Sequence, residues 1–306
     1  MRPLSLLRAK PALPVLNRPL LHWTLEALAR HGVAEVVINL HHLPETVVAA
    51  VGAGEPFGLR VSYSREGRIL GTGGGPRKVR AFFGDQPFLL VNGDCFFDFD
   101  LSRLLSRHRA SGALATLALK PNPDPRVYGP VVTGEAGWVR SLPDLPRRSG
   151  PVSLFTGIHV LEPALLDRLR PGPSDSVRDL YAPLVAKGGR VLGVRVRGAW
   201  YDLGSPAAYL SSHLAMLSEG FGGLRPRASL VDPAARVAPG ARVSASVVGP
   251  GAVVEDGARL VRSVVWDRVV VGRGAVVCDS IVASSLRPGE DVRGRVVVRG
   301  RRLRLT

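Results

Sequence analysis

Val231-Asp232-Pro233-Ala234-Ala235-Arg236 runs directly into Val237-Ala238-Pro239-Gly240-Ala241-Arg242 and Val243-Ser244-Ala245-Ser246. The units resume with Val247-Val248-Gly249-Pro250-Gly251-Ala252, Val253-Val254-Glu255-Asp256-Gly257-Ala258 and Val271-Gly272-Arg273-Gly274-Ala275-Val276. An apolar residue at every sixth position, with small turn residues between, is the signature of a hexapeptide parallel β-helix. Each coil turns one apolar side chain inward per flat face, and Pro-Gly or Asp-Gly makes the corner. A valine-rich sandwich would not hold a period of six. Residues 223–306 are therefore expected to form a left-handed parallel β-helix. The boundary lies at Glu219-Gly220-Phe221-Gly222-Gly223, after which aromatic residues nearly vanish. Hexapeptide helices that transfer acyl groups need a histidine base. The last histidine here is His213, before the repeats, so the tail reads as an oligomerisation surface or an allosteric platform.

Residues 1–222 alternate helix and strand patterns. Leu21, Leu25 and Leu28 mark one face of a helix that starts near Asn17-Arg18-Pro19 and stops at Gly32. Glu35–Leu40 is a short β-branched run of the kind that becomes a buried parallel strand. A helix follows over Pro44–Val51, then a strand over Leu59–Ser64, a helix through Lys78–Phe83 and a strand over Phe88–Val91. A strand near Arg190–Val196 and a helix over Pro206–Leu217 complete the set. This alternation predicts right-handed crossovers and a Rossmann-like, mostly parallel α/β sheet.

Bulk properties narrow the function. A chain of 306 residues with 45% apolar content can bury a real core. Two distant cysteines, Cys95 and Cys278, have no metal-ligand spacing and suit a reduced compartment, so a cytoplasmic location is expected. No apolar run approaches the roughly 20 residues of a membrane span, and prolines interrupt the basic start, which leaves no signal-peptide core. The net charge of +16 is carried almost wholly by arginine, since lysine occurs only at 10, 78, 120 and 187. Arginine spread evenly from Arg2 to Arg304 reads as a coding bias, and no recognised module points to a specific nucleic-acid partner.

Several residues have the chemistry of a phosphate site. Leu89-Leu90-Val91-Asn92-Gly93-Asp94 is a strand and tight turn that deliver Asp94 at the carboxyl edge of the sheet, where ligands of open α/β folds bind. There it can hold a hard cation such as Mg²⁺. Trp200-Tyr201-Asp202-Leu203-Gly204-Ser205-Pro206 places Asp202 in similar surroundings, as a second ligand or a helix cap. Leu70-Gly71-Thr72-Gly73-Gly74-Gly75 matches neither a Walker A loop nor a dinucleotide fingerprint. Its bare backbone suits close approach of a base or sugar, or a flexible turn. Lys10, stiffened by Pro11 and Pro14, is a candidate cation for transferring phosphates. His41-His42 reads as a polar strand end, because neighbours on an extended segment point opposite ways.

In order along the chain, Arg2-Pro3-Leu4-Ser5, Lys10-Pro11, Leu70-Gly71-Thr72-Gly73-Gly74, Asn92-Gly93-Asp94, Tyr128-Gly129, Phe155-Thr156-Gly157-Ile158 and Tyr201-Asp202-Leu203-Gly204-Ser205-Pro206 resemble the sugar-phosphate nucleotidylyltransferase family. The bacterial mannose-1-phosphate guanylyltransferase-like members with a hexapeptide tail look most similar. The resemblance implies a sugar-1-phosphate oxygen attacking the α-phosphorus of a nucleoside triphosphate and expelling pyrophosphate, with GDP-mannose as product. It assigns Asp94 and Asp202 to Mg²⁺, Lys10 to phosphate charge, and Arg2, Gly71, Thr72, Gly73, Gly74, Asn92 and Gly93 to the nucleotide. Tyr128, Gly129 and Gly157 line the sugar side, and the β-helix supports a homo-oligomer.

Two departures accompany the resemblance. The family opens with a buried strand and a Gly-x-Gly-Thr-Arg loop, whereas Met1-Arg2-Pro3-Leu4-Ser5 matches only the segment after that loop. Either the translation start is set too far downstream, or the chain is a catalytically inactive sugar-nucleotide-binding regulatory subunit of an active paralogue. The first is favoured, since removing a central strand would expose two sheet edges. A gap is then expected between Glu35–Leu40 and Phe88–Val91. The second departure is Leu142-Pro143-Asp144-Leu145-Pro146, where the family commonly carries Glu-Lys-Pro, so Arg140, Arg147 or Lys187 must supply the sugar-phosphate contact.

Overall fold

Helix α1 (Leu20–Arg30) buries Leu21, Leu25 and Leu28 and ends before Gly32, whose φ of 77° turns the chain toward the first strand. These features come from a computed structural model that describes residues 1–146, 148–220 and 224–305. Arg147 and the boundary residues 221–223 lie outside the described residues. Strand β1 (Glu35–Leu40) is followed by α2 (Pro44–Val51) and β2 (Arg60–Arg65), and the two strands pair in parallel from Glu35↔Arg60 to Leu40↔Arg65. Helix α3 (Gly71–Lys78) and strand β3 (Phe88–Val91) come next, then a short β4 (Cys95–Phe97) and α4 (Leu101–Ser111), which Asp100 caps through the N–H groups of Ser102 and Arg103.

The larger sheet is built from β5 (Ala115–Pro121), β6 (Pro130–Thr133), β7 (Val139–Ser141), β8 (Val152–Leu161) and, after α5 (Ala182–Ala186), β9 (Val191–Arg195). Its order is β9-β5-β8-β6-β7, with β3 also paired to β8. Parallel pairing is present at β1–β2 and β5–β9, while β8 runs antiparallel to β3, β5 and β6. The excursion through β6 and β7 has no helical crossover to reverse its direction, and short connections impose antiparallel neighbours.

Among the described residues β1 pairs only with β2, and β3 only with β8. The sheet is thus open between Glu35–Leu40 and Phe88–Val91, where a gap was expected. Val36, Ile38, Leu89 and Val91 remain half-buried, although strands of this composition are normally covered on both faces. Beyond β9, strand β10 (Trp200–Asp202) pairs antiparallel with β4, and α6 (Pro206–Glu219) starts from a Ser205 cap. Among the described residues no helix is long and apolar enough to cross a membrane.

The tail forms three flat faces of stacked parallel strands. One face carries 230–231, 247–248, 264–265 and 281–282; the others start at 236 and 242. The repeat is one residue short of three hexapeptides. Buried positions Val248, Val254, Leu260, Val265, Val271 and Val277 fall at steps of six, six and five. At the short corner Ala245, Arg262 and Asp279 adopt φ of 45°, 50° and 47°, and a buried serine follows each. Ser263 N–H donates to Ser246 Oγ at 3.0 Å and Ser280 N–H to Ser263 Oγ at 3.2 Å, each 17 residues apart. Each hydroxyl donates in turn to the carbonyl two residues earlier, at 2.6–2.8 Å. The ladder satisfies every buried serine at the tightest turn, where an unpaired polar group would be costly. An antiparallel hairpin, 295–298 with 301–304, closes the last coil.

One apolar cluster joins the two parts. Leu4, Leu13, Val15, Leu16, Tyr209 and Leu210 pack in the same core as Val247, Val265 and Trp266.

Candidate active site

The β4–β10 ribbon decides where the two candidate carboxylates meet. Asp202 stands directly opposite Cys95, the residue after Asp94, and Leu203 N–H donates to the Asp94 carbonyl at 3.3 Å. The Lys10 ammonium lies 3.2 Å from Asp94 Oδ2, and both side chains are about two-fifths exposed, at 42% and 40%. Lys10 opens a single 3₁₀ turn, Lys10–Ala12, whose Pro11 rests on Gly93: a Cβ on Gly93 would lie 3.1 Å from it. Burial raises the pKa of Asp202 and the charge of Asp94 raises it further. A carboxylate whose charge is disfavoured by burial and by a neighbouring carboxylate, as at Asp202, is relieved by a cation between the two. The pair therefore fits a divalent metal with oxygen ligands. Among the described residues no group of three or more His, Cys, Asp or Glu side chains converges, so substrate oxygens and water would have to complete the shell of such a metal.

Aromatic residues brace this corner. The Tyr128 phenol lies beside Asp202, and burial followed by the Asp202 charge raises its pKa. Tyr128 meets Trp200 edge-on at 5.8 Å, and the Trp200 indole N–H donates to the Thr156 carbonyl at 3.0 Å. Gly157, with φ of 78°, sits where the β8 register shifts between Phe155 and His159. Its carbonyl accepts Asn92 N–H at 3.0 Å, and a Cβ there would fall 2.5 Å from Asn92 Nδ2. Gly129 follows Tyr128 with Pro143 packed against it. Lys10, Asn92, Gly93, Asp94, Tyr128, Gly129, Gly157 and Asp202 thus share one neighbourhood. Cys95 beneath it is buried, which pushes its thiol far above the ordinary range and leaves it inert.

The glycine cluster takes another form than the expected loop. Gly71–Gly74, expected as a loop before a helix through Lys78–Phe83, are the first turn of α3, and Arg80–Phe83 is a separate 3₁₀ turn. The glycines are needed because the backbone at Ser174 lies on the helix: a Cβ on Gly71 would be 2.6 Å from Ser174 O, and one on Gly73 2.7 Å from Ser174 Oγ. Gly73 and Gly74 N–H both donate to Ser174 O, at 2.9 and 3.3 Å. Thr72 Oγ1 accepts Ser176 N–H and donates to Asp175. Arg2, Arg140 and Lys187 are exposed. The two histidines diverge, His41 Nδ1 to the Glu66 carbonyl and His42 Nε2 to that of Ser5.

Together these features define an α/β protein in which Asp94, Asp202 and Lys10 lie close together, joined to a hexapeptide β-helix. The chain belongs to the nucleotidyl transferase family, whose model matches residues 1–219, and a GlmU-like C-terminal hexapeptide model matches residues 225–292. It is 32% identical over 233 residues to the UTP–glucose-1-phosphate uridylyltransferase of Synechocystis sp., covering 71% of this chain and 60% of that protein. It is also 32% identical over 251 residues to the mannose-1-phosphate guanylyltransferase of Mycobacterium tuberculosis, covering 79% of this chain and 69% of that one. The chain thus spans about three-fifths of the cyanobacterial relative's length. HddC from Yersinia pseudotuberculosis shares the fold, with a TM-score of 0.58 at 18% identity over 67% of this chain and 88% of its own.

Proposed function

We propose that this protein joins a nucleoside triphosphate to a sugar-1-phosphate, giving a nucleotide sugar and pyrophosphate, with GTP and mannose-1-phosphate as the preferred pair. The observation that carries the reading is the convergence of Asp94, Asp202 and Lys10. The mycobacterial guanylyltransferase supports the choice of GTP and mannose, and the cyanobacterial uridylyltransferase names the main competitor.

In this reading a phosphate oxygen of the sugar-1-phosphate bonds to the α-phosphorus as its bond to the pyrophosphate oxygen breaks. The nucleophile is already ionised, so the protein need supply no base; positioning and charge stabilisation do the work. Mg²⁺ held by Asp94 and Asp202 would neutralise charge on the phosphate oxygens. Lys10 contributes a second positive charge from a stiff turn. Tyr128, beside Asp202, would help hold that carboxylate in place. The open sheet between β1 and β3 favours a second reading, in which the chain binds sugar nucleotide without turnover.

Pyrophosphate release, measured with a panel of nucleoside triphosphates and mannose-, glucose- and N-acetylglucosamine-1-phosphate, tests both. Mg²⁺-dependent release that Asp94→Asn abolishes supports the enzyme. Sugar-nucleotide binding with no release from any pair moves the choice to the regulatory reading.

A further inference from the structure

Lys10 hangs from a segment that the β-helix holds on both sides. Two positions before it, Arg8 reaches across the seam: one guanidinium nitrogen lies 2.6 and 2.8 Å from the two carboxylate oxygens of Asp267. The guanidinium carbon also sits 5.3 Å from the centre of the Trp266 ring. Asp267 is only 16% exposed and Arg8 30%, so the contact is partly shielded from water, where a charge-assisted bond holds direction best. Beyond Lys10, Asn17 Nδ2 donates to the Val248 carbonyl at 2.8 Å.

The chain between these anchors has little slack. Lys10–Ala12 is one 3₁₀ turn, Ala9 N–H donates to Thr46 Oγ1 at 3.0 Å, and Pro11 and Pro14 fix two φ angles. The seam itself is not filled: a cavity of about 220 Å³ lies between Arg8, Asn17, His213, Trp266 and Asp267. Leu13, Val15 and Leu16 pack on the β-helix beside that cavity, and the polar tethers add direction to this apolar contact.

We propose that Arg8 is a positioning residue, and that the grip of Asp267 and Trp266 on its guanidinium directs the Lys10 ammonium toward Asp94. The β-helix is then a working part of the phosphate site as well as a scaffold. The functional consequence rests on the reading of Lys10 as a phosphate-binding cation; the mechanical coupling does not.

Reductive methylation with ¹³C-formaldehyde tests this on the full chain, because only four lysines carry the label besides the terminal amine. Loss of one signal in Lys10→Arg assigns Lys10. Without ligand, Asp267→Asn and Arg8→Gln are expected to move the Lys10 signal toward free dimethyl-lysine and leave Lys78, Lys120 and Lys187 in place. Leu260→Ala, which weakens the β-helix core without touching Asp267, should leave the Lys10 signal unmoved. In a titration with MgCl₂ and pyrophosphate, the affinity read from the Lys10 signal should fall about fivefold to tenfold in Asp267→Asn, as expected for one misaligned charge-assisted contact. A Lys10 signal unchanged in both folded variants, or moved equally by Leu260→Ala, overturns the proposal. If pyrophosphate moves no wild-type signal, the phosphate role of Lys10 fails, and the ligand-free spectra still decide the coupling.

Discussion

Val36 and Val265 are both valines in parallel strands, yet Val36 is half-buried and Val265 is 1% exposed. Val265 lies between Val248 and Val282, its equivalents on the coils before and after, so its neighbours come from the repeat itself. Val36 pairs with Val61 on one side and has no strand on the other among the described residues. A solenoid supplies each coil's neighbours by local repetition, whereas a crossover sheet depends on segments far away in the chain. The half that holds the candidate site is therefore the half whose completeness depends on distant pairing.

That contrast can be broken by substitution. Leu260→Ala, at a fully buried coil position, is expected to lower stability by about 2–5 kcal/mol, against about 1 kcal/mol or less for Val36→Ala. Denaturant midpoints compare the two, and equal losses would show that β1 is as well packed as the coils. The functional cost should sit in the other half. Asp94→Asn is expected to reduce pyrophosphate release about 100-fold or more while moving the melting temperature little, as for loss of a group that holds transition-state charge. A variant that keeps normal turnover would remove the carboxylate pair from the site.

The seam should respond to acid. Burial holds the His213 pKa down at about 4, from an ordinary value of 6.5, while Nε2 accepts Leu16 N–H. A depressed histidine pKa means that the unfolded chain binds more protons in that window. Stability from His213 is therefore complete above pH 6.5 and is lost as pH falls toward 4, by a few kcal/mol. His213→Gln should flatten part of this loss in unfolding curves at pH 7.5 and 4.5, and an unchanged loss would place the acid sensitivity elsewhere. The smallest effect belongs to the serine ladder. Ser263→Ala leaves Ser280 N–H without its acceptor and should cost about 1–2 kcal/mol by chemical denaturation. No loss would mean that the short corner is held by its backbone alone.

How much was legible in advance follows from the distance over which each signal acts. The valine period announced the β-helix because each unit is local. The dropped residue at Ser246, Ser263 and Ser280 escaped notice, since an ordinary serine gains its meaning only when stacked on its equivalent. Gly71–Gly74 drew attention as a loop, but their lack of side chains answers to Ser174, about a hundred positions away, which no local pattern reveals. Asp94 and Asp202 each stood out as a carboxylate at a strand end. Nothing in their own neighbourhoods showed that β4 and β10 would pair and bring them together.

Residue chemistry and local periodicity by themselves determined the α/β alternation, the β-helix and the identity of the charged candidates, because backbone preference and side-chain period act over a few residues. Tertiary structure alone decided that Lys10 meets Asp94, that Tyr128 meets Asp202, and that Arg8 ties the Lys10 segment to Asp267. Each of these contacts joins residues 74 to 259 positions apart (Tyr128 with Asp202, Arg8 with Asp267), and such pairs are set by how the layers pack, which local sequence does not encode.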